Sequence, residues 1–481
     1  MKTVALWFLL MAMLSMNVHA QNYHALEGSP FAGSIGVANN PASILSTPYP
    51  WDVTVLSFQI KTATNAVVFH NISLLTLAKS DTISYKVGSG YLKRYAAFNF
   101  NLHLLNARIA LGKKQAIAFG ANLRGYAAVR TGNANYSDTV QNMNQFFDIN
   151  QGTTYSANMV NNTWLELFGT YSRTIADDLD SRLNVGITLK AMRGISGAFA
   201  QLKSGDVGRS VDGLQTIYLL RAGSAKYGYS SNYDQWKDSK STGQNLKDFL
   251  GHTQPGAAFD LGAEYWVKSG AITNVMDDDN YFDYEWKIGV SLLDVGQNVF
   301  RYGSQSRAVS NPRSDVSDSA LNAKFDPVQT LAQFNDSLAT IVNNFSGLTG
   351  EFKVWTPARL VINVDRPLPN HFAVNANLSL NLSGSNTGKE LYAKEMNLLT
   401  VVPRWEKRRI GAYLPVQVTT DGKFWIGGAV KAGPLLLGVH NWGNVFSKNK
   451  IQNGGFYLAL VIRPGEGFAE KEEKQYTCPK L

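Results

Sequence analysis

Between residues 397 and 464 apolar side chains fall on every second position, segment after segment. From 408 to 419, Ile410, Ala412, Leu414, Val416 and Val418 share one side, with Arg409, Gly411, Tyr413, Gln417 and Thr419 on the other, which is the two-residue period of a strand. After a turn at Thr420-Asp421-Gly422 the alternation resumes in Phe424, Ile426 and Val430, then Leu435, Leu437 and Val439, and finally Phe456, Leu458, Leu460 and Ile462. The same pattern recurs upstream. Phe98, Phe100, Leu102 and Leu104 alternate with polar residues, as do Leu183, Val185, Ile187 and Leu189, and Tyr284, Trp286, Ile288, Val290 and Leu292. It is clearest where Phe372, Val374, Ala376, Leu378 and Leu380 oppose His371, Asn375, Asn377, Ser379 and Asn381.

The connections sort into two kinds. Short turns, such as 112–115 and 176–181, alternate with long polar stretches at 131–162, 197–254 and 296–353. Apolar faces on one side, polar faces on the other and loop lengths sorted by side predict an all-β fold: a transmembrane antiparallel β-barrel of about 14 strands. In the last long stretch the period changes. Asp326 and Pro327 predict the start of a helix whose stripe is Val328, Leu331, Phe334, Leu338, Ile341 and Phe345, set in an external loop.

Composition agrees with a barrel. Of 481 residues 44% are hydrophobic and only 17% charged, yet beyond the N-terminus no apolar run approaches the ~20 residues of a membrane helix. Residues 1–20 read as a cleaved export signal, with Lys2, an apolar stretch over 4–15 and Val18-His19-Ala20 before Gln21. Residues 21–50 hold turn signals without periodicity and are expected to form an N-terminal plug, 51–464 the barrel and 465–481 a polar tail carrying the single Cys478. The net charge of +9 comes from scattered Lys and Arg, which fits contact with outer-membrane lipid head groups and not nucleic acid.

Several short motifs resemble an uncharacterised outer-membrane barrel family of Bacteroidota, a domain of unknown function distantly similar to FadL- and PorV-type barrels. They are Val402-Pro403-Arg404-Trp405-Glu406 with Leu414-Pro415, Lys431-Ala432-Gly433-Pro434-Leu435, Thr163-Trp164-Leu165-Glu166 and Ser291-Leu292-Leu293-Asp294-Val295-Gly296. The resemblance implies a barrel in the outer membrane, and makes Asn39, Asn40, Pro41 and Ala42 similar to a plug segment inside the lumen.

Candidate chemistry is sparse. His103, His371 and His440 fall on inward faces, and no HExxH, GxSxG or phosphate-loop pattern occurs. The acidic turns Asp177, Asp178, Asp180 and Asp277, Asp278, Asp279 lack the glycine and closing glutamate of a calcium loop. No catalytic residue, metal or cofactor is therefore expected. The plug residues 39–42 are the candidate gate, and His371, Asn375, Asn377, Arg404 and Glu406 the candidate polar lining, with Arg404 pairing Glu406 and, more loosely, Arg359 pairing Asp365. Two roles fit: a gated channel or transporter for an apolar or exported molecule, or an accessory barrel that binds other envelope proteins, for instance in protein secretion. A lipid-facing Val374 predicts that Val374→Arg impairs assembly, and a hydrated lumen that Asn375→Arg is tolerated.

Overall fold

A computed structural model describes residues 24–70, 73, 84–213, 215–268, 284–384, 391–394, 397–419, 422–446 and 452–464. The export signal, residues 21–23 of the plug segment, Asp277, Asp278 and Asp279, the turn residues Thr420 and Asp421, and the tail with Cys478 lie outside the described residues.

Fourteen antiparallel staves close into a barrel. They are β1 (Trp51–Thr64), β2 (Gly90–Ala110), β3 (Gln115–Tyr136), β4 (Tyr155–Asp177), β5 (Ser181–Asp212), β6 (Gln254–Val267) and β7 (Trp286–Arg301). The circuit continues through β8 (Arg359–Pro367), β9 (Phe372–Asn381), β10 (Leu398–Glu406), β11 (Ile410–Tyr413 and Val416–Thr419), β12 (Phe424–Ile426 and Gly428–Ala432), β13 (Leu435–Val439) and β14 (Asn453–Ile462). Each stave pairs with its sequence neighbours, and the seam is β1 on β14, from Val53 opposite Ile462 to Ala63 opposite Asn453. Closure leaves no stave with an unpaired edge, as lipid requires of backbone N–H and C=O groups.

The exterior repeats the alternation seen in the sequence. Leu167, Leu189, Leu261, Val290, Leu399, Val430, Leu437 and Leu460 are exposed, while the residues between them turn inward. At one rim the exposed aromatics Trp51, Tyr171, Tyr265, Trp286 and Phe372 form the girdle expected at a membrane interface. That rim also holds the start of β1, the end of β14 and the tight connections between Ala110 and Gln115, Asp177 and Ser181, Pro367 and Phe372, Glu406 and Ile410, and Ala432 and Leu435. Apart from the connection between Val267 and Trp286, which leaves from this rim, the long connections leave from the opposite rim. Among the described residues no helix is long and apolar enough to cross a membrane.

Two sequence expectations change here. The long polar stretches at 131–162 and 197–254 are about half strand, because β2 to β5 run for 21, 22, 23 and 32 residues where ~9–11 suffice to cross a bilayer. Beyond the lipid neither face has to be apolar, so the backbone ladder continues while the alternation that signals it fades. These extensions form a lobe with strands Gln215–Tyr229, Arg307–Pro312 and Val342–Gly347 and four short helices. The single helix expected from Pro327 is also replaced, by Asp318–Phe325 and Leu331–Ala339. Asp326 closes the first as its C-cap, and Thr330 opens the second in a capping box with Gln333. The β-branched run Thr340-Ile341-Val342 then favours strand, and Val342–Gly347 pairs with Arg307–Pro312.

Candidate functional site

Residues 24–49 enter the lumen as three short 3-10 turns, His24–Leu26, Gly33–Ala38 and Pro41–Leu45, and nearly every side chain in them is buried. The segment is short and only turn-like, so its backbone groups need partners that it cannot supply itself. The wall supplies them. Ser172 Oγ donates to Pro41 O at 2.7 Å, Ser291 Oγ to Asn39 O at 2.7 Å, Arg359 Nη2 to Ala38 O at 3.1 Å and Lys287 Nζ to Gly28 O at 2.7 Å. Near the girdled rim Arg108 donates to Ile44 O and Tyr49 O, both at 2.6 Å, and Arg463 Nη2 to Phe31 O at 2.9 Å. Asp52 Oδ1 accepts from Ser34 N at 2.6 Å.

Asn40 fixes the centre of this plug. Its Oδ1 accepts from Ala42 N at 2.9 Å, capping the turn that Pro41 begins, and its Nδ2 donates to Ala263 O at 3.1 Å. The facing wall is flat because Gly186 on β5 pairs with Gly262 on β6. A Cβ on Gly262 would lie 2.1 Å from Asn40 Oδ1, and one on Gly186 would lie 2.7 Å from Ala42 N. Side-chain-free wall positions thus form the bed on which Asn40-Pro41-Ala42 rests.

Two buried charge clusters brace the plug. In the first, Asp294 accepts from Arg124 Nη1 and Nη2 at 2.6 and 2.8 Å, Lys190 Nζ at 2.6 Å and Arg359 Nη1 at 2.7 Å. Lys190 also meets Asp260 at 2.7 Å, and Arg124 meets Glu166 at 3.5 Å. Three cations face three carboxylates, so the cluster is neutral. Asp294 is held at φ +56, in the left-handed region that short polar side chains tolerate best, within a bulge of β7 between Leu292 and Val295. In the second cluster Arg404 forks onto Asp365 at 2.5 and 3.0 Å and reaches Glu406 Oε1 at 2.6 Å. Ser29 Oγ from the plug donates to Glu406 Oε2 at 2.8 Å, and Tyr284 Oη donates to Asp365 at 2.6 Å.

Of the residues singled out from sequence, Asn39 to Ala42 lie in the lumen against the wall, and Arg404 and Glu406 pair with each other. Arg359 and Asp365 do not pair. They sit six residues apart on one stave, about 20 Å, and each belongs to a different cluster. His371 lies in the rim turn at φ +66, not in mid-lumen. Asn375 is fully buried and bonded to Asn363 and Asp365. A Cβ on Gly28 would come within 2.0 Å of its Nδ2, so the expectation that Asn375→Arg is tolerated does not hold: the plug fills the space that water was assumed to occupy. Asn377 borders a void of about 30 Å³ between plug and wall, and a second void of about 20 Å³ lies beside Arg124 and Lys190. Each has room for one or two waters.

Above the plug the lumen narrows at a layer of Phe199, Phe300, Phe352 and Tyr302, with Phe300 stacked on Phe352 at 5.4 Å. Lys394 lies in the loop beyond, where burial first and then neighbouring Arg130 hold its ammonium below the ordinary lysine range. At the opposite rim Asp177 is occupied by Lys268 at 2.8 Å and Lys114 at 3.7 Å, and among the described residues no group of three or more His, Cys, Asp or Glu could hold a metal ion.

Sequence reasoning missed Asp294, Arg124, Lys190, Asp260 and Glu166 as a group. The available signal was parity for four of them: Arg124, Glu166, Lys190 and Asp260 stand at inward positions of alternating segments. Asp294 continues the outward row of Trp286 to Leu292, and only the bulge before Val295 turns it inward.

A model of a family described as a family of unknown function, DUF5723, matches residues 41–439. None of the curated proteins matches the chain. Among solved structures the chain is similar to a Pseudomonas aeruginosa FadL homologue at 9% identity and a TM-score of 0.42, covering 93% of this chain and 100% of that one. It is also similar to the Ralstonia pickettii toluene transporter TbuX, at 11% identity and a TM-score of 0.38, covering 92% and 100%.

Proposed function

Since the chain belongs to the DUF5723 family of unknown function, we propose its role from its own geometry: a non-enzymatic, gated channel or transporter of the outer membrane, here in its closed state. The observation that carries this reading is the plug. Residues 24–49 close the lumen, packing Leu26, Ile35, Val37, Ile44 and Leu45 on apolar wall residues, and the wall side chains that bond plug backbone can exchange those bonds for water without breaking a stave. The bracing charges favour the same reading, because a lumen serving only as scaffold is filled at least as well by apolar residues as by buried ion pairs. Of the two cargo classes, apolar or exported, the polar and charged lining supports an exported, hydrated molecule.

Planar-bilayer conductance tests the gate. Intact protein is expected to stay closed for most of a recording, and protein lacking residues 22–50 to conduct. Silence from the deleted protein, once its barrel is known to be folded, would remove the channel reading.

A second reading, an accessory barrel that binds other envelope proteins, is favoured by one feature of the lobe. Trp236, Tyr233, Leu246 and Leu250 are exposed together around helix Thr242–Gly251, and such patches mark contact sites. Retrieval of an envelope partner by the intact chain, lost on replacing Trp236 and Leu246 by Ser, supports it.

A further inference from the structure

The lobe carries a second built feature, which needs no movement of the plug. Its sheet has two unlike faces. On one, Val309, Leu220 and Ala225 pack with Val316, Leu321, Ile341 and Val342 into a small apolar core. On the other, cross-strand pairing sets two rows side by side, Gln201–Lys226–Ala308–Ser346 and Lys203–Ser224–Ser310–Asn344. Directly opposed residues share a face, so these eight positions line one surface, and together they border a groove of about 450 Å³. That volume lies within the ~300–1,000 Å³ of small-ligand sites.

The groove's chemistry is one-sided. Its side chains bring two ammonium groups, three hydroxyls and two carboxamides, and among the described residues no carboxylate lines it. Lys226 Nζ sits at the inner end, 5.8 Å from the Phe199 ring centroid, so the groove opens off the mouth above the aromatic layer. Gln201 is only 5% exposed, and its Nε2 has no hydrogen-bond partner among the described residues. A buried donor left unmatched is costly, and an acceptor oxygen in the groove would relieve it.

A lone oxyanion would engage the lysines and leave most of the row idle. Hydroxyls and carboxamides, which both donate and accept, match the hydroxyls and ring oxygens of a sugar spread across strands ~4.8 Å apart. We propose that this groove binds an anionic saccharide, with Lys203 and Lys226 on its acidic group and Gln201, Ser224, Ser310, Asn344 and Ser346 on its hydroxyls.

Titration calorimetry on the full chain in detergent micelles tests this with four probes: a sulfated tetrasaccharide, uncharged maltotetraose, inorganic phosphate and lipopolysaccharide. The sulfated tetrasaccharide is expected to bind, and the Lys203→Gln/Lys226→Gln double variant to weaken it by about tenfold or more, since charge-assisted bonds are the stronger ones. Gln201→Ala should weaken it less and Lys247→Gln, elsewhere on the lobe, not at all. Tighter binding of lipopolysaccharide would identify a glycolipid head group as the source, and tighter binding of the soluble chain a free polysaccharide; each supports the site. Equal binding of maltotetraose would overturn the role of charge, and equal binding of phosphate the role of the sugar. Unchanged binding by the double variant, with heat-modifiable migration showing its barrel folded, would overturn the location, as would failure of every anionic probe to bind.

Discussion

Replacing Asp294 by Asn removes one negative charge from the centre of the first cluster while keeping size, one acceptor oxygen and tolerance of φ +56. Three cations then face two carboxylates, Asp260 and Glu166, in a fully buried site. Breaking a buried pair by removing one partner costs about 3–5 kcal/mol. The lower end applies here, because Lys190 keeps Asp260 at 2.7 Å and Arg124 keeps Glu166 at 3.5 Å. The expected loss is therefore about 3 kcal/mol. Lys190→Met in the same chain restores neutrality and should return about 1–2 kcal/mol of it, within the range of coupled neighbours. Urea titration of the barrel in lipid vesicles, following the heat-modifiable folded band, measures both. A loss below ~1 kcal/mol, or no recovery in the double variant, would refute the view that charge balance around Asp294 holds these staves and the plug together.

Further outcomes follow from the same geometry. Leu378, between Ile362 and Leu399, stands six residues above the rim residue Phe372, about 15 Å along a tilted barrel axis. Leu378→Arg should cost about 2–4 kcal/mol and Val374→Arg, two residues from the rim, about 0–1 kcal/mol; equal folding yields into vesicles would contradict the assigned membrane level. Gly262→Val thrusts a side chain into Asn40 and should expose residues 24–49 to protease while the barrel still migrates as folded. Protection equal to the parent protein would mean that the glycine bed is not needed. Asn375→Arg displaces Gly28 and the Asp365 cluster, so it should raise bilayer conductance, whereas a silent, fully folded variant would argue against close packing of plug on β9.

Alternation alone carries the barrel. Lipid outside and a filled lumen inside assign opposite chemistry to successive residues, so Ile410 to Val418 and Phe372 to Leu380 reveal their facing, the closed antiparallel wall and a stave number close to fourteen without any tertiary information. Proline and asparagine at 39–41 likewise mark a turn-rich segment before the first stave. The same rule is silent where lipid ends, which is why the extensions of β2 to β5 read as loops and why one helix was expected where the chain folds into two helices and a strand. It is silent inside as well. Parity says that Arg124 and Lys190 point inward, whereas Asp294 is turned inward only by the bulge after Leu292; the partners lie 104 and 170 positions apart along the chain, and Ser29 meets Glu406 across 377. Those distances are closed only by the curvature of the finished wall. Local pattern therefore determined the barrel, and closure determined which charges meet and where the plug is seated.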